Sequence, residues 1–412
     1  MKKCNLLILI IALLIAVACF ASCGGSTEST DGQTSSEPAT STPATSEPPV
    51  TTLPALESFE SVKIAGNDLK DYTIVYAESP LAGEAAKHPE LLPVYDFDKE
   101  SADRLSDIIF ARYGVRLAVK MDTATEVSDK EILIGETNRE LVSTISLKKV
   151  KAEQYLITLS DAKLVVCGGT YGTTWHALDY VEAMLDTALK ERKGDFEFAA
   201  DYRYEGTYHL VRIGCIGDSI TQGVGIKSSA TMYAYPVQLG RFLWKDALVT
   251  NFGLSGKTMR NDLADAYTKT TTYTRALASA SGMDMFTIML GTNDSNRDRN
   301  WNANSTQQYK ESCRLLLENL TKKNKDLSFV LANCPAYFGS DDFGSRTVRD
   351  LQKSLVKEMN DLGYPTTFFD MHKVTVELRD TFEDKLHPNE YGHVEMARAF
   401  AEALEAIIHS EQ

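Results

Sequence analysis

The apolar positions of this chain follow two different rhythms. From residue 208 onward, short continuous apolar runs at 211–216, 248–252, 285–290, 328–333 and 366–370 alternate with amphipathic stretches. Those stretches lie near 235–244, before Ser281, and at 307–322, 346–362 and 390–408, where the apolar period is three to four. Continuous apolar runs separated by helices predict a five-stranded parallel sheet covered on both faces, a doubly wound three-layer α/β fold. Ligands of such sheets bind beyond the carboxyl ends of the strands. Between 58 and 205 the rhythm is mixed. Strands are predicted at 72–77, 115–121 and 131–135, and a helix at 101–113 with Leu105, Ile108, Ile109 and Arg112 on one face. Tyr155, Ile157 and Leu159 alternate along 154–159, and Ser160-Asp161 turns the chain into an apolar hairpin partner at 163–167. A helix at 174–189 closes a small α/β or α+β domain.

The first 57 residues follow neither rhythm. Met1-Lys2-Lys3 and the apolar run 6–20 read as an export signal, too short for a membrane span. The run ends in Ala21-Ser22-Cys23-Gly24-Gly25 and resembles a bacterial lipoprotein signal, which implies Cys23 as the lipidated residue; Cys19 is the alternative acceptor and plain secretion the alternative fate. Residues 23–57 are mostly Ser, Thr, Pro, Glu and Gly, and bury too little apolar surface to offset the entropy of ordering. The predicted organisation is a signal at 1–22, a disordered tether at 23–57, an accessory domain at 58–205 and a main domain at 206–412.

A formal charge of −14 argues against nucleic acid as a partner, because phosphate binding needs a basic face. Any membrane contact is assigned to the N-terminal anchor. Cys167, Cys215, Cys313 and Cys334 are isolated, with neither C-x-x-C nor disulfide-framework spacing, and read as small buried hydrophobes. Gly168-Gly169-Thr170-Tyr171-Gly172 follows an apolar run as in a dinucleotide site, but the full G-x-G-x-x-G spacing is missing, so no cofactor is predicted. H-E-x-x-H and G-x-S-x-G are absent as well, so neither a metal-assisted nor an α/β-hydrolase reading is supported.

The chemistry gathers at the ends of the predicted strands of the second half. Gly217-Asp218-Ser219-Ile220-Thr221 follows the first, Asn251-Phe252-Gly253-Leu254-Ser255-Gly256-Lys257-Thr258 ends the second, and Gly291-Thr292-Asn293-Asp294 follows the third. Asp384-Lys385-Leu386-His387-Pro388 precedes the last helix. A serine where the backbone must turn suits a nucleophile, and a hydroxyl needs a base to take its proton. Asp-x-x-His lets a carboxylate hold one ring nitrogen while the other faces the serine. With four blocks in order over about 209–409, the chain resembles the SGNH (GDSL-type) hydrolases. The resemblance implies Ser219 as nucleophile, His387 as general base and Asp384 as its orienting carboxylate. It also implies the Ser219 and Gly256 N–H groups and the Asn293 amide as an oxyanion hole. His372, two residues from Asp370, is the competing histidine, and His393 reads as a surface or outer-layer residue.

Thr231-Met-Tyr-Ala-Tyr-Pro236, the run from Asn251 to Thr258, and Asn300-Trp301 are most similar to family members that deacetylate carbohydrates. Trp301, Tyr233 and Tyr337 are candidate stacking platforms for a sugar ring, an acetylated carbohydrate being the expected partner. The stretch from Glu131 to Arg139, with the apolar hairpin after it, resembles small domains that precede catalytic domains in bacterial polysaccharide-degrading enzymes. A lipase or arylesterase is the alternative enzyme, and an inactive glycan-binding surface protein the alternative outside catalysis.

Overall fold

The computed structural model describes residues 56–144, 150–227, 232–298, 300–339 and 345–410. The predicted signal with Cys19 and Cys23, nearly all of the tether, and Thr231 lie outside the described residues.

The front domain runs β1 Ser61–Ile64, β2 Asn67–Asp68, β3 Thr73–Tyr76, α1 Ala82–Lys87, α2 Phe97–Tyr113, β4 Ala118–Met121 and β5 Glu131–Ile134. It continues with α3 Glu140–Thr144, β6 Gln154–Ser160, β7 Lys163–Gly168, α4 Tyr171–Lys190, β8 Asp195–Phe198 and β9 Arg203–Thr207. Six strands form one sheet in the order β4-β3-β5-β7-β6-β9, and β2-β1-β8 form a second. Helices α2 and α4 bury Leu105, Ile109, Leu178, Val181 and Leu185 against Ile74, Ile132, Ile157 and Val166 of the larger sheet. The β6–β7 hairpin closes through Asp161 and Ala162, both in the left-handed region at φ 49° and 59°, the geometry that matches the twist of paired strands. β6 is buried along its whole interior, so the alternation of Tyr155, Ile157 and Leu159 does not mark a solvated face. The glycine-rich turn before α4 is a helix start: Thr170 and Thr173 form a reciprocal capping box, and the Thr174 hydroxyl accepts the Gly168 N–H at 2.9 Å.

The second half alternates as expected. It comprises β10 Val211–Gly217, α5 Ser219–Gln222, α6 Tyr235–Phe242, β11 Ala247–Gly253, α7 Thr271–Ser279, β12 Met285–Met289 and α8 Thr292–Arg297. It then continues through α9 Ala303–Thr321, β13 Ser328–Ala332, α10 Ser345–Asp361, β14 Thr366–Phe369, α11 Met371–Val376 and α12 Glu390–Ser410. The sheet order is β11-β10-β12-β13-β14, with every pair parallel. Helices α7, α9 and α10 cover one face through Tyr273, Tyr309, Leu316, Leu351 and Leu355. Helices α6 and α12 cover the other through Leu239, Met396, Phe400 and Leu404. The order reverses direction beside β10, and the carboxyl ends of strands flanking such a switch point form the natural crevice. The four buried cysteines named above are unpaired, and burial pushes each thiol up to about 12.

Residues 54–412 cluster as one compact unit, with no division between the front and second halves. Phe97 of α2 packs 4.9 Å from both Tyr171 and Trp244, and His176 Nε2 bonds the Lys245 carbonyl at 2.9 Å.

Candidate active site

Ser219 is the first residue of α5, directly beyond β10, where the N–H groups of a helix start have no preceding carbonyl to bond. Asp218 caps that start, its Oδ1 accepting the Ile220 N–H at 3.1 Å. Burial pushes the Asp218 carboxyl up to about 6, against the Ile220 amide that favours its charged form. Block two is tied to this turn: Asn251 Nδ2 donates to the Thr221 carbonyl at 2.8 Å, and the Ser255 N–H donates to Gln222 Oε1 at 2.7 Å. The Asn251 side chain thus holds down the carbonyl end of the short helix that presents Ser219.

His387 reaches the same point from the loop before α12. Its Nε2 lies 2.9 Å from Ser219 Oγ, and its Nδ1 lies 2.6 Å from Asp384 Oδ2. A carboxylate only accepts, so Nδ1 carries the proton and the Nε2 lone pair faces the serine hydroxyl. The other carboxylate oxygen of Asp384 accepts the N–H groups of Leu386 at 2.9 Å and His387 at 2.6 Å. Burial raises this carboxyl, but the His387 amide, the imidazole and the Leu386 amide outweigh it and hold it below its ordinary value. Lys385 takes a left-handed φ of 71°, which folds the loop so that one aspartate serves both backbone and ring.

The donors stand opposite. Gly256 has φ +75° and open space where a side chain would begin, and it lies between Ser255, bonded to Gln222, and Lys257, whose carbonyl accepts from Asn293. Asn293, in the first turn of α8, donates Nδ2 to the Lys257 carbonyl at 3.1 Å and points its amide at Asp218 Oδ2, 3.5 Å away. The second contact is long enough to be given up for a negatively charged oxygen. Asp294 locks the two donor loops together. Its fully buried carboxylate accepts the Met259 and Arg260 N–H groups, each at 2.9 Å, and burial pushes it up to about 6 against those two amides. Arg260 closes the outer side, bonding Asp262 at 2.6 Å and Asp298 at 2.5 Å.

The structure therefore joins Ser219, His387 and Asp384 in series, with Asn293 against Asp218 beside the serine and Gly256 next to the Lys257 carbonyl that Asn293 bonds. The scaffolding roles of Asp218, Asn251 and Asp294 were not assigned from sequence, although all three sit inside the recognised blocks. The competing His372 is set apart: its N–H donates to Asn333 Oδ1, and Asp370 caps α11 while accepting from Asn333 Nδ2. His393 is not at the surface. It is fully buried, with Nδ1 accepting the Tyr235 N–H at 3.3 Å. Tyr233 is fully buried too, its ring packed against the front domain and its hydroxyl donating to Glu84, so it offers no platform to a sugar. Trp301 is half-buried and anchored: its Nε1–H donates to Thr306 Oγ1 at 2.9 Å and its ring packs near Tyr309. Tyr337 is half-buried, and the next residue, Phe338, donates its N–H to the Lys385 carbonyl of the histidine loop at 2.9 Å. Among the described residues no group of three or more His, Cys, Asp or Glu side chains gathers as a metal-ligand set.

A serine, an imidazole and a carboxylate bonded in series beside amide donors is the constellation of serine-type acyl-transfer hydrolases. Residues 215–394, which contain all four sequence blocks, match the model of the GDSL-like Lipase/Acylhydrolase family. Over 215 residues the chain is 31% identical to an acetylxylan esterase from Xylanibacter ruminicola, a stretch covering 47% of this chain and 43% of that protein. The chain thus spans less than half the length of this curated relative. Similar solved structures include a carbohydrate acetylesterase family member from Sinorhizobium meliloti, 19% identical with a TM-score of 0.38 over 48% of this chain and 100% of that one. Another is the M. smegmatis aryl esterase, 18% identical with a TM-score of 0.36 over 48% of this chain and 99% of that one.

Proposed function

We propose that this protein is a serine esterase that removes O-acetyl groups from a polysaccharide or oligosaccharide through an acyl-enzyme intermediate. The observation that carries the proposal is the unbroken series Ser219 Oγ, His387 Nε2, His387 Nδ1 and Asp384 Oδ2, with links of 2.9 and 2.6 Å. Ser219 Oγ attacks the acetyl carbonyl carbon while its proton passes to His387 Nε2. The negative oxygen that develops accepts from the Ser219 and Gly256 N–H groups and from Asn293 Nδ2. Collapse breaks the bond to the sugar oxygen, which leaves with the proton from His387. Water then attacks the acetyl-serine, again giving its proton to His387; collapse breaks the bond to Ser219 Oγ, which takes that proton back as acetic acid departs. Asp384 holds the ring in the required tautomer throughout.

Carbohydrate as substrate is supported by the likeness of the blocks to deacetylating members and by the identity with an acetylxylan esterase. We further read residues 1–22 as an export signal and Cys23 as a lipid attachment site, which assigns the enzyme to the outer face of a bacterial membrane, where a polymeric glycan is met. The test is acetate release from acetylated xylan by the wild type and by Ser219→Ala, with a long-chain p-nitrophenyl ester as counter-substrate. Acetate from the wild type alone supports the reading. Long-chain ester cleavage without acetate release keeps the serine chemistry and replaces the substrate class.

A further inference from the structure

The histidine loop is held on one side by the Phe338 N–H on the Lys385 carbonyl and is open to solvent at its tip. Asp384 leaves 57% of its side chain exposed, and Glu383 and Lys385 lie on the surface with it. Its inner neighbour is the segment that follows α5. Gly225 takes φ +106°, and a side chain there would begin 2.4 Å from the Pro388 carbonyl oxygen and 2.9 Å from His387 Cβ, so the two backbones are in direct contact. Lys227 brackets the same loop, its N–H donating to Glu390 Oε1 at 2.8 Å and its ammonium pairing with Glu383. The position of His387 therefore depends on what holds residues 225–227 in place.

The front domain holds them. Ala85 of α1, with Leu91 and Leu92 just beyond it, forms one buried apolar cluster with Tyr233 and with Val394 of α12, and Ile226, Met232 and Phe242 pack against that cluster. Ile226 adjoins Gly225, and Val394 lies in the helix that His387 and Pro388 lead into. At the centre, the Tyr233 hydroxyl donates to Glu84 Oε1 at 3.2 Å, and burial together with this carboxylate pushes the phenol up to about 12. Separate domains joined by a small polar contact move relative to one another by default. A buried aromatic with its polar tip satisfied across the boundary opposes that motion.

We propose that helix α1 of the front domain positions His387, through the Glu84–Tyr233 hydrogen bond and the apolar cluster around it, so that the front domain is a working part of the catalytic unit and not a carried module. The inference rests on the esterase reading, in which His387 is the general base. Displacement of a catalytic group by about 1 Å can cost on the order of 10² in rate, so a modest loosening of this support has a measurable effect.

The test uses the full chain with Glu84→Ala, Tyr233→Phe and Glu84→Gln, the last of which keeps an oxygen acceptor for the phenol. Glu84→Ala and Tyr233→Phe are expected to lower kcat on an acetyl ester by about 3–10-fold with little change in KM. Glu84→Gln should restore most of the loss. The downfield NMR signal of the His387 Nδ1 proton, assigned by its disappearance in His387→Ala, should be sharp in the wild type and Glu84→Gln and broadened in the other two. Wild-type kcat and an unchanged signal in Glu84→Ala and Tyr233→Phe, with only thermal stability lowered, overturn the proposal. If the wild type itself cleaves no acetyl ester, the esterase reading fails, and the histidine signal still decides whether α1 positions the ring.

Discussion

Replacing His393 by glutamine should make the fold less sensitive to acid. His393 is fully buried in α12, its Nδ1 accepts the Tyr235 N–H at 3.3 Å, and its ring lies parallel to that of Tyr235 at 6.5 Å. The ring proton therefore sits on Nε2, which has no hydrogen-bond partner among the described residues. Charging the ring would turn a second N–H against the Tyr235 N–H in a site without water-like screening. Burial accordingly pushes His393 down from 6.5 to about 4, with the backbone of Val224 and the Glu390 carboxylate opposing and the nearby His387 adding to the effect. In the unfolded chain the same ring takes up its proton near its ordinary value, so acid favours unfolding. The stability tied to the neutral ring is complete above about pH 6.5 and is lost as the pH falls towards about pH 4. Linkage puts that loss at about 2 kcal/mol by pH 5 and about 3 kcal/mol by pH 4. Glutamine does not titrate, and its carbonyl can accept from Tyr235.

Asp218 and Asp294, both pushed up to about 6 by burial, act with the opposite sign. Their neutral forms suit the fold, so their contribution is present in acid and declines as the pH rises through their folded values. Both proteins carry them, so the difference between wild type and variant isolates His393. The assay is urea unfolding followed by tryptophan fluorescence from about pH 7 to pH 4, with the two free energies subtracted at each pH. A difference that moves by less than about 0.5 kcal/mol over that range refutes the reasoning.

Three other outcomes follow from the geometry. Asp384→Asn keeps the loop's shape but lets the ring adopt the wrong tautomer, and steady-state kinetics should show kcat reduced by up to about 10⁴ with folding intact. Asn293→Ala removes one of the three oxyanion donors and should lower kcat by about 10²–10³ while KM changes little. In Asp294→Asn one of the Met259 and Arg260 amides meets an N–H₂ group in place of an oxygen, which should cost about 1–3 kcal/mol in denaturant unfolding. Because Asp294 joins the two donor loops, kcat should fall in the same variant.

What was legible from sequence follows the physics of burial. Strands β10, β12 and β13 are mostly buried and read as apolar runs, the edge strands β11 and β14 are only partly buried, and the predicted ends of all five fall within a residue or two of the observed ones. Strands β1, β2, β8 and β9 were not anticipated. Arg203–Thr207 is a half-exposed edge whose identity comes from its pairing with β6, not from a pattern of its own. Ser219, His387 and Asp384 were legible because their spacing encodes a reaction. Tyr233 was misread because an apolar ring with a polar tip suits a sugar and a domain boundary equally well, and the sequence does not say which surface lies opposite. His393 carried an unused signal: Met396, Ala397 and Phe400 follow it at three, four and seven residues, placing it on the buried stripe of α12.

The central claim is that Ser219 is a nucleophile activated by His387, and active-site titration with a fluorophosphonate tests it most directly. The account predicts one phosphonate per chain, mapped to the peptide bearing Ser219, with acetyl-esterase activity falling in step and with labelling suppressed in His387→Ala. Full activity in a fully labelled protein, or a label that maps to another residue, contradicts it.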